Sequence, residues 1–142
     1  RYVLDAEPVK AASLIVEQPD FGTDILCSAI MDFPGNRHLS FNCSTQLQLH
    51  QRMVFQGTEG RMELKVPFNP YPGVQDPEIL LFKGARLGDA HGEPVAVQSA
   101  DQYRLQVEAM NRAILGEETW SVPRSDIMAQ ARAIEMVFHG RL

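Results

Sequence analysis

Gln51-Arg52-Met53-Val54-Phe55-Gln56-Gly57-Thr58-Glu59-Gly60-Arg61-Met62-Glu63-Leu64 is the stretch that decides the fold. Met53 and Phe55 alternate with Arg52, Val54 and Gln56, and Met62 and Leu64 alternate with Arg61, Glu63 and Lys65. A period of two marks a half-buried strand. Gly57-Thr58-Glu59-Gly60 is the reversal, with a glycine at each end to take up positive φ. That loop places Phe55 across from Met62 and Met53 across from Leu64. The apolar residues then share one face of a hairpin. Nothing in this hairpin is chemically reactive.

Upstream, Glu7 to Val16 reads as a strand entered through Pro8, and Gln18-Pro19-Asp20-Phe21-Gly22 as a turn. Thr23 to Phe33 carries Ile25, Cys27, Ala29, Met31 and Phe33 on one face, with Leu26 and Ile30 on the other. Arg37 to Leu49 reads as a long third strand. Its Leu39, Phe41, Cys43, Leu47 and Leu49 alternate with Ser40, Asn42, Ser44, Gln46 and Gln48. A strand face left in water usually collects Lys and Glu. The uncharged polar face, with Arg52 just beyond it, therefore reads as an interaction surface, because interface cores are depleted in charge. Cys27 and Cys43 are equally far from Gly35 in the connecting Pro34-Gly35-Asn36, which sets them opposite each other. Two reduced, buried thiols are the simpler reading and a strained cross-strand disulfide the other.

Downstream, the three prolines in Val66-Pro67-Phe68-Asn69-Pro70-Tyr71-Pro72-Gly73 exclude regular structure. Glu78 to Lys83 is a further strand, Gly84 to Gly92 a loop, and Glu93 to Gln98 an edge strand. Then the period changes to 3.6. Ser99-Ala100-Asp101-Gln102 is a capping box. Tyr103, Val107, Met110 and Ile114 form a helical stripe expected to pack on the core, and Gly116 stops it. A second helix starts near Ser125 or Asp126, carries Ile127, Ala131, Ile134 and Phe138 on one stripe, and ends at Gly140. Strands followed by two helices predict an α+β fold: an open, mostly antiparallel sheet with helices packed on one face, in one domain over residues 1–142.

Composition bounds function without naming it. A 142-residue chain with 44% hydrophobic and 22% charged residues can bury a real core. A net charge of -5 argues against nucleic acid or an anionic membrane as partner. No apolar run approaches the roughly 20 residues needed to span a bilayer. The lack of a signal pattern and the two cysteines point to the cytoplasm. The opening Arg1-Tyr2-Val3-Leu4-Asp5 reads as part of something longer. His38, His50, His91 and His139 lack metal-ligand spacing. There is no nucleophile elbow, phosphate loop or dinucleotide fingerprint. No catalytic, cofactor-binding or metal-ligating residue is assigned. Ser40, Asn42, Ser44, Gln46, Gln48 and Arg52 are the candidate interface.

The hairpin, then Pro67-Phe68-Asn69-Pro70, then Tyr103-x-x-Gln106-Val107-Glu108-Ala109-Met110-x-x-Ala113-Ile114-x-Gly116, resembles the C-terminal domain of the Gfo/Idh/MocA oxidoreductases. Glu7-Pro8-Val9-Lys10-Ala11 and the second helix fit as well. The resemblance implies an open antiparallel sheet whose free face joins subunits into a homo-oligomer. It implies a parent enzyme that uses NAD or NADP on a sugar, polyol or related hydroxyl compound. That family's cofactor domain, its Glu-Lys-Pro lysine and its further histidine or aspartate have no counterpart in this chain, so the chain alone is expected to be inactive and to bind no cofactor. Met110 stands where the family has phenylalanine. A different reading of the same residues is a non-catalytic module that self-associates through its open sheet face.

Overall fold

The computed structural model describes residues 1–70, 77–84 and 91–142. Tyr71-Pro72-Gly73 and most of the loop expected between Gly84 and Gly92 lie outside the described residues. Strands β1 (Lys10–Gln18), β2 (Thr23–Phe33), β3 (Arg37–Ser44), β4 (Met53–Gln56), β5 (Gly60–Leu64), β6 (Ile79–Lys83) and β7 (Glu93–Val95) precede helices α1 (Gln102–Ile114) and α2 (Arg124–His139). All pairings between these strands are antiparallel. The α+β class follows. In place of one sheet, the ladders of the described residues form two, β1-β2-β3 and β4-β5-β6-β7. The chain divides into two compact units, residues 1–48 with 120–142 and residues 49–119.

The break between the ladders has a local cause. The third strand ends at Ser44 and does not continue to Leu49. Ser44 Oγ donates to Ile25 O at 2.7 Å and accepts from Gln46 N at 3.1 Å. A serine that satisfies backbone groups locally offers the chain an alternative to the ladder.

In the first unit, α2 packs on β1. Ala11, Cys27, Ala29, Met31 and Phe33 from the sheet meet Ala133 and Val137 from the helix. The expected stripe of Ile127, Ala131, Ile134 and Phe138 is not the buried one: α2 buries Ala129, Ala133 and Val137. Small side chains win because helix and strand approach to backbone contact. Ser13 Oγ donates to Val137 O at 2.6 Å, and Ser13 N donates to Gly140 O at 2.8 Å. Leu142 N returns to Ser13 O at 3.1 Å, so the residues after α2 cover the edge of β1. A Cβ at Gly140 would lie 2.5 Å from Ala11 O. Between β2 and β3, Gly35 and Asn36 take φ of 79° and 57°. Arg37 braces that turn, donating to Pro34 O and Leu4 O. Cys27 and Cys43 are partners in the ladder, as the spacing predicts. Both thiols are free, and only Cys27 is buried.

In the second unit the central hairpin keeps its expected register, Met53 with Leu64 and Phe55 with Met62. The reason for its glycines differs from the expected one. Neither Gly57 nor Gly60 is among the positive-φ residues. Gly60 is needed because a Cβ there would fall on the carbonyl oxygen of Phe82. Among the described residues of this unit Phe82 is the buried one, with Gly92 against its ring and the Arg61 guanidinium 3.6 Å from the ring centroid. Helix α1 starts later than the capping box implies. Asp101, not Ser99, is the N-cap, accepting from Tyr103 N and Arg104 N. Gly116, at φ 76°, follows its end. The stripe of Tyr103, Val107, Met110 and Ile114 is not packed in a core, since α1 buries no residue. Tyr103 is 62% exposed and donates its hydroxyl to Asn69 Oδ1 at 3.2 Å. A helical period reports an apolar face but not what the face meets.

Adding a methyl group at the helix–strand crossing tests the packing of the first unit. Gly140→Ala should lower stability by about 1–3 kcal/mol through overpacking against Ala11. Ala131→Ser, on the outer face of α2, should change it little. Urea midpoints of the two variants check the contrast.

Candidate functional site

One face of β1-β2-β3 is covered by α2; the opposite face carries the candidate site. Antiparallel register lines its residues in rows across the three strands: Ala12, Ile30 and Ser40; Leu14, Ser28 and Asn42; Val16, Leu26 and Ser44. Each row runs from apolar at β1 to polar at β3. Leu14 is 61% exposed, and Val16 and Ile30 are each 49% exposed. A shallow depression of about 550 Å³ lies over the first two rows, with Leu142 at its margin. The next row, Lys10, Asp32 and His38, is charged, with His38 Nε2 3.4 Å from Asp32 Oδ1. Three uncharged rows bounded by a charged one have the composition of an interface core and its rim.

The structure brings together only part of the sequence-derived set. Ser40 and Asn42 lie on this face, exposed. Ser44 shares the face, but its hydroxyl is engaged by Ile25 and Gln46. Gln46 and Gln48 lie past the end of β3. Arg52 belongs to the second unit, where its guanidinium donates to Glu63 Oε2 at 2.8 Å. Sequence reasoning missed the apolar half, Leu14, Val16 and Ile30. Its signal was the run Leu14-Ile15-Val16, apolar on both faces of a strand with a helix for only one of them.

Each unit also carries an ion cluster of its own. Glu63 takes Arg61 on Oε1 at 3.1 Å and Arg52 on Oε2. The hydrogen bond from Arg61, with that from Arg52, holds its carboxyl below the usual carboxylate range, although partial burial works against this. Near the start of the chain, the Arg1 guanidinium bridges Glu7 and Asp126 at 2.7 and 2.8 Å. It joins the segment before β1 to the first turn of α2, beside a depression of about 570 Å³ that Arg132 and Met136 also line. With both carboxylates on it, Arg1 is a brace and not a free cation for a ligand.

Among the described residues, no three His, Cys, Asp or Glu converge on a metal position. No helix there is long and apolar enough to cross a membrane. The described residues contain no cradle of the dinucleotide-binding kind. Such a cradle needs a strand leading through a glycine turn into a helix, whereas every described strand here precedes both helices. No reaction step is assigned to these residues.

No family model matches the chain. An uncharacterized oxidoreductase of Rhizobium meliloti, ORF334, is 41% identical over 114 residues, covering 80% of this chain and 34% of that protein. The chain thus spans about a third of that relative's length. Among solved structures, KijD10, a 3-ketoreductase from Actinomadura kijaniata in complex with NADP, matches with a TM-score of 0.75 at 20% identity. That match covers 96% of this chain and 41% of KijD10. An aldose-aldose oxidoreductase from Caulobacter crescentus, complexed with glycerol, matches at 0.72 and 18% identity over 99% of this chain and 41% of its own. The chain has the C-terminal-domain fold of the Gfo/Idh/MocA oxidoreductases. The antiparallel strands and the two helices agree with the fold that the hairpin and the α1 motif imply.

The Glu63 cluster gives a pH dependence with a definite sign. A carboxyl held low in the folded state contributes stability above the ordinary glutamate pKa and loses it as pH falls through the depressed value. Glu63→Gln should therefore be less stable than wild type near pH 7, with the gap narrowing toward about pH 3. Urea midpoints at the two pH values check this; a gap of constant size would mean the two arginines do not hold the carboxylate.

Proposed function

We propose that this chain is the substrate-side and oligomerisation domain of an NAD(P)-dependent oxidoreductase acting on a sugar, polyol or related hydroxyl compound. In this reading the nicotinamide nucleotide is held by residues beyond those described, and the domain contributes a wall of the substrate cleft. Three things support it. The Rhizobium relative is an oxidoreductase. KijD10 is in complex with NADP, and the Caulobacter enzyme is named for aldoses and complexed with glycerol. A cytoplasmic location accompanies the reading and suits two free thiols.

The single observation that carries the oligomerisation half is the face of Leu14, Val16, Ile30, Ser40 and Asn42. Apolar side chains half open to water on a sheet lower their free energy when covered, at about 25 cal/mol per Å² of apolar area. A second copy can present the same graded rows about a two-fold axis, apolar edge to apolar edge, without burying a charge.

Sedimentation velocity of Leu14→Lys with Asn42→Lys should show a smaller species than wild type, with an unchanged far-ultraviolet spectrum. An unchanged size would place the subunit contact elsewhere. For the activity, the protein that contains this domain should reduce NAD or NADP in the presence of an aldose or polyol panel, while residues 1–142 alone should not. Sustained turnover by residues 1–142 would contradict the proposal. Absence of nucleotide binding by the longer protein would favour a non-catalytic interaction module.

A further inference from the structure

Cys27 and Cys43 stand directly opposite each other on β2 and β3. Two positions along the ladder, Thr45 N donates to Ile25 O at 3.1 Å. Antiparallel pairs alternate between hydrogen-bonded and non-hydrogen-bonded kinds, so 27 and 43 form a hydrogen-bonded pair, with Cα atoms about 5.5 Å apart. That separation lies within the range a disulfide spans, about 4.4–6.8 Å. Both side chains point to the face that carries Ala29 and Met31, so no backbone reversal is needed to join them. Their accessibility differs: Cys27 is buried and Cys43, on an edge strand, is exposed.

We infer that Cys27 and Cys43 are a reversible oxidation site, closing to an intrachain disulfide under a low-molecular-weight disulfide such as oxidised glutathione. Cys43 is the sulfur that reagent reaches. In the first exchange the Cys43 thiolate attacks the glutathione disulfide, forming a mixed disulfide and releasing one glutathione thiol. In the second, Cys27 loses its proton and attacks the Cys43 sulfur, expelling the other glutathione. Two protein thiols give up two electrons and two protons, and one glutathione disulfide becomes two thiols. Burial, with Cys43 alongside, pushes the Cys27 thiol up, so the second exchange is the slow one and quickens as pH rises. A bond across a hydrogen-bonded pair is strained, and strained disulfides are the readily reduced ones.

The test is intact-mass analysis of the folded protein after incubation with oxidised glutathione, followed by alkylation in urea. The expected product is lighter by two hydrogens, carries no glutathione, takes no alkyl group, and regains both thiols with dithiothreitol. Its far-ultraviolet spectrum should match that of the reduced protein. Cys27→Ser should instead stop with one glutathione retained on Cys43. A wild-type protein that stops at the same adduct, with Cys27 still open to alkylation in urea, would overturn the inference. So would a bond that forms only with loss of the folded spectrum.

Discussion

The first unit depends on how closely the end of α2 meets the middle of β1. Three hydrogen bonds converge there: Ser13 Oγ on Val137 O, Ser13 N on Gly140 O, and Leu142 N on Ser13 O. Such an approach is possible only where side chains are small, which is why Ala11, Ala29, Ala133 and Gly140 lie along the crossing. Ser13 itself is almost wholly buried, a polar residue whose donors and acceptors are matched. The crossing decides which sheet face is covered. By doing so it decides that Leu14, Val16 and Ile30 are left open on the other.

The second unit rests on a different constraint, the crowding around Phe82. Gly60 lets the β5 backbone pass the Phe82 carbonyl, Gly92 lies against the ring, and Arg61 covers it from above. Arg61 then shares Glu63 with Arg52, so two cations on the hairpin converge on one carboxylate. Helix α1 is tied to this unit by polar contacts, Gln102 to Phe68 O and Tyr103 to Asn69, and Gln51 fixes Phe68 and Asn69 from the strand side.

Much of this was legible in the sequence where local chemistry decides. Period-two runs gave β2 its ends and the hairpin its register, and the symmetry about Gly35 paired the two cysteines. Glycine punctuation gave the C-terminal ends of both helices, whereas their starts lie at Gln102 and Arg124 and not at the expected caps. What was not legible depends on partners distant in sequence. The Ile127 stripe of α2 is the more hydrophobic face, yet the alanine face is buried, because closeness to β1 outweighs side-chain size there. The Tyr103 stripe of α1 has the right period and no core beneath it. Beyond Ser44 the alternation continues on paper, but the strand stops where the serine hydroxyl takes up Ile25 O and Gln46 N. The candidate interface was found by its missing charge on β3. Its apolar half on β1 was hidden because a strand apolar on both faces reads simply as buried.

A sheet held on one side by a helix, with its other side graded from apolar to uncharged polar, links the fold to the proposed oxidoreductase assembly. The most direct measurement is hydroxyl-radical footprinting of side chains across a range of protein concentrations. Val137, at the crossing, should stay protected throughout, while Leu14 and Ile30 should go from labelled to protected as subunits associate. Labelling of Leu14 and Ile30 that does not change with concentration, in a protein that does associate, would contradict the central claim.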